Sequence, residues 1–450
     1  MSYELCTIKT KKIKIIMDII KNIVKLNFSR LFSNKENFSL FTFHFSLRKI
    51  IGLFFIFHFS FFTYSQTLKD YIDVAVKNNS DIKVQNALYD LEKEKANEVA
   101  SYENTTFNAG GFALTPETRV GSQIFKVGVN QKLPWFGELD AKRNFANAKA
   151  ALKKYDVNLS EKEIIYQVKK AYYQIYQQKA TTDILKDNKL ILKTYENMAL
   201  AALENNRATM SDVLRIRVQK NELHSKMFQN LNSLEILSKN FNKLLQQDEN
   251  TALNIVDSLS VLDILILNMQ IKNHPILQKT LEKEKVYQAE NDLVKISEKP
   301  KLAVGLDYIL VEKYDDINPI QNGKDIVMPK VSISIPLFNK KKYKSKFEQI
   351  KIKKQMLSDE LETQKVQLKI AVDQAKLDLD NAILTVVAAQ KNKTEIQRAI
   401  NVDLKAYETG ILDYDKILRL QLQKIRFQLM EIKATKKAYL AKAKIEYLVN

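Results

Sequence analysis

Phe125, Lys126, Val127, Gly128, Val129, Asn130, Gln131, Lys132 and Leu133 run into Pro134, Trp135, Phe136 and Gly137, and a long charged stretch follows. Phe125, Val127, Val129 and Leu133 alternate with Lys126, Gly128, Asn130 and Lys132, the period of two that gives a strand one apolar and one wet face. The pattern returns later: Val331, Ile333 and Ile335 alternate with Lys330, Ser332 and Ser334 before Pro336, Leu337, Phe338 and Asn339. Upstream of it, Leu302, Val304, Leu306, Tyr308 and Leu310 alternate with Lys301, Ala303, Gly305 and Asp307. Phe107, Ala109 and Ala113 form a weaker strand of the same kind. Four strands are therefore expected, at 105–114, 122–133, 301–312 and 326–335, paired as hairpins by polar loops from Thr115 to Gly121 and from Lys313 to Asp325. Their length, about 10 to 12 residues, suits a tilted strand crossing a bilayer. Alternation alone fits a soluble four-stranded sheet equally well; the polar hairpin loops tilt the reading toward a membrane barrel. Four strands do not close a barrel and bare edges are not tolerated in lipid, so several chains would have to share one.

Around the strands the chain is helical. Between Glu138 and His274 there is neither Gly nor Pro, and after Leu337 only Gly410. Phe145, Ala148, Leu152, Tyr155 and Leu159 step by three and four, as do Leu418, Leu422, Ile425, Leu429 and Ile432, the spacing of coiled-coil seams. A helix from Glu138 to Leu203 would extend roughly 100 Å. Return helices are expected from near Thr209 and Leu412, with tip turns at 204–210 and 408–414. Asn206 and Gly410 align there, and both are residue types that accept a left-handed helix-ending conformation.

These features occur twice in the same order. Val76 to Ile82 is echoed by Gln270 to Ile276, the Pro134 corner by the Pro336 corner, and Ala202 to Arg215 aligns without gaps on Ala406 to Arg419. The expected organisation is a leading extension, 1–45, that reads as an over-extended start, a signal peptide at 46–65, and two repeats, 66–260 and 261–450. The signal reading rests on Arg48 and Lys49 ahead of the apolar run Ile50 to Phe62, with the small residues Thr63 and Ser65 before a cut at Gln66.

Composition narrows the function. The chain has 450 residues, 27% charged, with only nine Gly and seven Pro, too few for loop-rich enzyme folds. Cys6 is the sole cysteine and His44, His58, His224 and His274 are scattered, so no disulfide framework, metal cluster or cofactor is expected. No phosphate-binding loop or nucleophile elbow is present, which argues against an enzyme. Net charge is +19, but outside the leader Lys and Glu are interspersed along helices, and no nucleic-acid partner is expected. The densest basic run, Lys340, Lys341, Lys342, Lys344 and Lys346, fits either lipid head groups or a solvated helix start.

A duplicated unit of two strands and long antiparallel helices behind a signal peptide resembles the TolC family of outer-membrane channel proteins. The residues that carry the likeness are the Asn78, Asn79, Ser80 opening, the corners at Pro134 and Pro336, and the turn Tyr407, Glu408, Thr409, Gly410 with Ile417 and Leu418 behind it. The resemblance implies an α+β membrane protein in the outer membrane of a Gram-negative bacterium. It would be a homotrimer whose chains share a twelve-stranded β-barrel above a coiled-coil periplasmic tunnel. Its partners would be outer-membrane lipid, a periplasmic adaptor protein and an inner-membrane pump, and it would be a passive gated conduit for efflux or secretion. The corner Leu133 to Gly137 looks somewhat like the metal-efflux branch.

The resemblance also implies a periplasmic gate. Asp212 and Tyr407 fall where the family has a carboxylate and a tyrosine that tie one hairpin to its neighbour, with Ser211 beside them. Leu412 stands where some members use an Arg. The family's acidic ring maps onto the basic Lys416 and Arg419, with Asp413 and Asp415 close by. Asn205, Asn206, Thr409 and Gly410 would form the tips. Two local alternatives stay open: Asp212 as a helix-start carboxylate interacting with the dipole, and Trp135 and Phe136 as a packing corner rather than an interfacial girdle. The competing class is a periplasmic coiled-coil adaptor or scaffold outside the membrane.

Overall fold

The computed structural model describes residues 67–261, 264, 271–316, 320–408 and 414–449. The leading extension, the signal segment, and the tip residues Thr409, Gly410, Leu412 and Asp413 lie outside the described residues.

Two short helices open the described chain. In α1 (Leu68–Asn78), Thr67 caps the first turn and the Asp70 carboxylate accepts from the Thr67 N–H at 2.7 Å, a capping box. Asn79 ends α1 and caps α2 (Ser80–Val99), accepting from the Ile82 N–H at 3.0 Å. The second repeat uses different chemistry for the same job: His274 caps α5 (Pro275–Ser297) through Nδ1, and Pro275 fills the first helical position, where no N–H is needed. In the echo of Val76–Ile82 by Gln270–Ile276, Asn79 stands opposite Asn273 and Ser80 opposite His274, so both segments start a helix but their caps, Asn79 and His274, differ by one position.

The strands are β1 (Thr106–Gly111), β2 (Glu117–Thr118), β3 (Gly121–Leu133), β4 (Lys301–Glu312) and β5 (Ile326–Ser334). They form one antiparallel sheet in the order β1-β3-β4-β5, with β2 paired to β3 alone. Two details depart from expectation. The first strand stops at Gly111, leaving Ala113 in the loop, and the loop contributes β2 just after Pro116, which cannot donate to a ladder. A bulge at Ile124 shifts the register between Gln123 and Phe125. The decisive pairing is β3 with β4, from Ser122 opposite Glu312 to Leu133 opposite Leu302. It fuses the hairpins of the two repeats side by side into a single sheet.

Each sheet corner leads into a very long helix. Gly137 precedes α3 (Glu138–Glu204) with φ 77, a left-handed conformation that glycine adopts without a Cβ penalty. Glu138 then accepts from the Trp135 N–H at 3.2 Å and pairs with Lys142 at 2.9 Å. Helix α3 (Glu138–Glu204) has 67 residues and α6 (Lys340–Glu408) has 69, each roughly 100 Å at 1.5 Å per residue. They return as α4 (Met210–Leu244) and α7 (Tyr414–Val449). The duplicated α+β unit is the observed architecture, and no described helix is long and apolar enough to cross a membrane.

The seams divide. Leu418 and Ile425 of the second are buried and Leu422 and Leu429 pack on them. The first is half-buried. The deeply buried line on α3 is instead Ala146, Ala150, Val157, Ile164 and Val168, because α3 is contacted by α2, α5, α4 and α7 on different sides. At mid-length, α3 carries Tyr172 and Tyr176, whose hydroxyls accept from the backbone of Val256 (3.1 Å) and Leu259 (3.3 Å). Tyr71 accepts from Asn254 at 2.7 Å and Tyr439 donates to the Ser260 carbonyl at 2.9 Å. These rings pack with Phe241 and fasten the extended segment that links the repeats along the helices.

Candidate functional site

The registers assign every strand residue to a face. Phe107, Val129, Leu306 and Pro329 lie in one row across the sheet, and Ala109, Val127, Tyr308 and Val327 in the next. With Phe125, Leu310, Val304, Val331 and Ile333 they make a continuous apolar face, and it is exposed, to 80% at Phe107 and 76% at Val331. The opposite face carries Asn108, Lys126, Asn130, Lys132, Lys301, Asp307, Lys330, Ser332 and Ser334. An apolar face left exposed, with the charged and polar strand residues on the other side, is not the order of a sheet packed on a soluble core. The outer edges of β1 and β5 pair with no strand among the described residues.

The two hairpin loops are tied at one end of the sheet: the Tyr314 hydroxyl donates to the Thr118 carbonyl at 2.8 Å and the Gly323 N–H to Val120 at 2.6 Å. At the other end stand the corners. Trp135 is half-buried and edge-on to Phe136, centroids 5.9 Å apart, while Phe136 itself is exposed. In the second corner Pro336 is half-buried and Leu337 and Phe338 are exposed. Apolar side chains thus project where each strand becomes helix. Lys340, Lys341, Lys342 and Lys344 follow on the exposed first turns of α6.

The helical tips form the second candidate region. Helix α3 ends in a left-handed turn: Asn206 has φ 54, its N–H donates to the Leu203 carbonyl, and the Arg207 N–H donates to Ala202. Asn205 is exposed and donates to the Ala201 carbonyl at 2.7 Å. Thr209 then caps α4, and the Asp212 carboxylate accepts from the Thr209 N–H at 2.9 Å and hydroxyl at 2.6 Å. Asp212 is therefore the third residue of a capping box, so the helix-start role is built in. It also stands close to Tyr407, whose hydroxyl is shifted upward by burial first and by the Asp212 charge second. Asp212 and Tyr407 are thus within electrostatic reach of each other; Ser211 and Lys416 are exposed on the first turns of their helices.

Asp415 is gripped from two sides. Arg215 of α4 donates to it at 3.2 Å and Arg419, one turn on, at 2.7 Å through Nε. Arg215 was not among the predicted gate residues, although the repeat alignment sets it opposite Arg419. Beneath, Val213, Ile216, Ile417 and Leu418 are buried with Tyr195 and Leu192, so both hairpins share one apolar plug. Glu196 joins α3 to α4 through Arg217 (2.6 Å) and Lys220; those two hydrogen bonds, Lys220 first, hold its carboxyl below the usual range. Farther from the tip, buried Gln421 donates to buried Asn188 at 2.7 Å, and Asn188 donates to Gln428 at 3.0 Å. Sequence reasoning missed both groups because their partners are set by hairpin register, with no local motif.

No family model and no curated protein matches the sequence. Solved structures do match. VceC, an outer membrane protein of Vibrio cholerae, superposes with a TM-score of 0.66 at 12% identity, over 85% of this chain and 95% of VceC. The chain has the fold of the TolC-type channels. CusC matches with a TM-score of 0.69 at 13% identity over 85% of this chain and 92% of its own. MtrE, an outer membrane channel of Neisseria gonorrhoeae solved in an open state, gives 0.66 at 13% over 85% and 88%. At such identities the shared property is the TolC-type fold: the joined hairpins, the long helices and the duplicated order. Among the described residues no group of His, Cys, Asp and Glu is arranged to hold a metal ion.

Proposed function

We propose that the chain is one subunit of an outer-membrane channel, a passive conduit from periplasm to exterior in a tripartite efflux or secretion system. The observation that carries this is the sheet: its apolar face is bare, its two edges pair with no strand among the described residues, and helices of roughly 100 Å stand beneath it. Hydrocarbon accepts an apolar face but no open edge. Three copies, edge β1 against edge β5, would close a twelve-stranded barrel with the polar face around water. Exposed apolar side chains along α6, among them Met356, Ile370, Leu377 and Leu384 at seven- and fourteen-residue intervals, fit the same assembly by giving each helix bundle a seam for a neighbouring copy.

Such a conduit needs no chemistry of its own, and an adaptor and an energised inner-membrane pump would drive transport. The tips would be the periplasmic gate, with Asp212 near Tyr407 and Asp415 between Arg215 and Arg419 as contacts exchanged on opening. Trp135, Phe136, Leu337 and Phe338 would lie at the periplasmic interface of the membrane. The test is fractionation of expressing cells, followed by bilayer recording of the extracted protein. The channel reading expects outer-membrane material released only by detergent, migrating as a trimer and forming conducting pores. A chain released by salt or alkaline wash would support the adaptor reading and overturn this one.

A further inference from the structure

The inner face of the sheet carries charge of one predominant sign. Its strand positions hold Lys126, Lys132, Lys301 and Lys330 against a lone carboxylate, Asp307. Asp307 projects from β4 between the lysines of both neighbouring strands, with Lys126 Nζ 2.6 Å from Oδ2 and Lys330 Nζ 2.6 Å from Oδ1. The carboxylate is 1% exposed, whereas both lysines stay partly exposed on the inner surface. It reaches this position because the residue opposite on β3 is Gly128, where a Cβ would collide with Oδ1. The negative charge is thus covered while the positive heads face the interior. Lys301 is exposed at the base of β4, and Lys132 pairs with Glu103 at 3.2 Å. The loops at the far end lean acidic, with Glu117, Glu312, Asp315, Asp316 and Asp325 against Arg119, Lys313 and Lys324, so the positive excess belongs to the strand positions of this face and not to the loops.

We infer that the barrel interior is an anion-attracting lining, so that the channel passes anionic solutes in preference to cations, with the Lys126, Asp307, Lys330 triad setting the degree. This rests on the channel reading and on the polar face lining water. The physical case is that rings of one sign bias permeation. Three copies triplicate every charge, and at physiological salt the field of each lysine reaches about 8 Å into the pore. The preference should therefore weaken as salt is raised.

The test is the reversal potential of reconstituted wild-type channels under a potassium chloride gradient, beside Lys330→Gln, Lys301→Gln and Asp307→Asn. The wild type is expected to favour chloride. Lys330→Gln leaves a neutral Lys126 and Asp307 pair and lowers the chloride preference about two-fold; Asp307→Asn uncovers two lysines and raises it by a similar factor. Lys301→Gln, at an exposed position outside the triad, shifts it the same way as Lys330→Gln and serves if a triad variant fails to assemble. Opposite shifts for lysine and aspartate variants are the signature that a purely structural cross-strand staple would not produce. Pores that conduct with a cation preference, or with one reversal potential in all four proteins, would overturn the inference alone. A wild-type protein with no conductance would overturn the channel reading beneath it.

Discussion

Asp415 shows how a residue's neighbours, rather than its identity, define its role at the tip. Its carboxylate, 15% exposed, collects two arginines whose own side chains stay mostly in solvent, Arg215 from α4 and Arg419 from its own helix, and solvent screening of the arginines keeps the contribution of each ion pair small. Asp415→Asn should therefore change stability by less than about 1 kcal/mol while altering single-channel conductance if the tips are the gate proposed above, because both arginines are released to solvent there. Unchanged conductance would remove Asp415 from the gate. Asp212→Ala should cost about 1 kcal/mol through the lost capping box, read as faster amide exchange in the first turn of α4. If Asp212 also holds Tyr407, conductance changes as well, and in Tyr407→Phe too.

His274 gives a pH dependence with a defined sign. It is 4% exposed, and burial first, then the Lys162 charge, bring its pKa down to about 4. The groups facing it are Lys162 of α3, itself lowered to about 8 by burial, and Tyr447 of α7. The folded pKa lies below the unfolded one, so the unfolded chain binds the extra proton. This contribution is complete above about pH 6.5 and is lost as pH falls toward 4. Acidifying from pH 7 to 5 should lower stability by an order of 1–2 kcal/mol, measured as detergent-solubilised melting. His274→Asn, which keeps a capping side chain without a titratable ring, should flatten that slope; an equal slope in the variant would assign it elsewhere.

At the scale of elements, most of the helical frame was legible in the sequence. The absence of Gly and Pro after Glu138 and the left-handed-tolerant Asn206 fixed one long helix and its turn to within a residue or two, because breakers act locally. Strand faces were legible for the same reason, since a period of two survives any partner. What was not legible depends on partners: the join of β3 to β4, the bulge at Ile124, and the buried line Ala146, Ala150, Val157 where the sequence pointed to Phe145, Ala148 and Leu152. At the tips, the capping box of Thr209 and Asp212 is local and so within reach of the sequence, the pairing of Asp212 with Tyr407 is proposed from the resemblance, and Glu196 with Arg217 and Lys220 needed the hairpin register. The sheet makes a sharp element-scale prediction. Gly128→Val places a Cβ against the Asp307 carboxylate and should impair assembly of the sheet, whereas Gly110→Val, with nothing within 4 Å, should be tolerated. Equal trimer yields from the two variants would contradict the close packing of Asp307 over Gly128.

For the whole molecule the account reduces to which solvent each sheet face meets. The bare apolar face is as extensive as the sheet itself, a liability in water and a requirement in hydrocarbon. The roles proposed for helices, loops and tips follow from that assignment, under which the lysines of the polar face would line water. The direct measurement places a fluorophore on single cysteines at Val304, Leu306 and Val331, and on others at Ala303 and Ser332, in protein reconstituted with a lipid-borne nitroxide quencher. The account predicts strong quenching at the first three positions and little at the other two, which respond instead to a water-soluble quencher. Equal access of both sets to the aqueous quencher, with none to the lipid one, would contradict it.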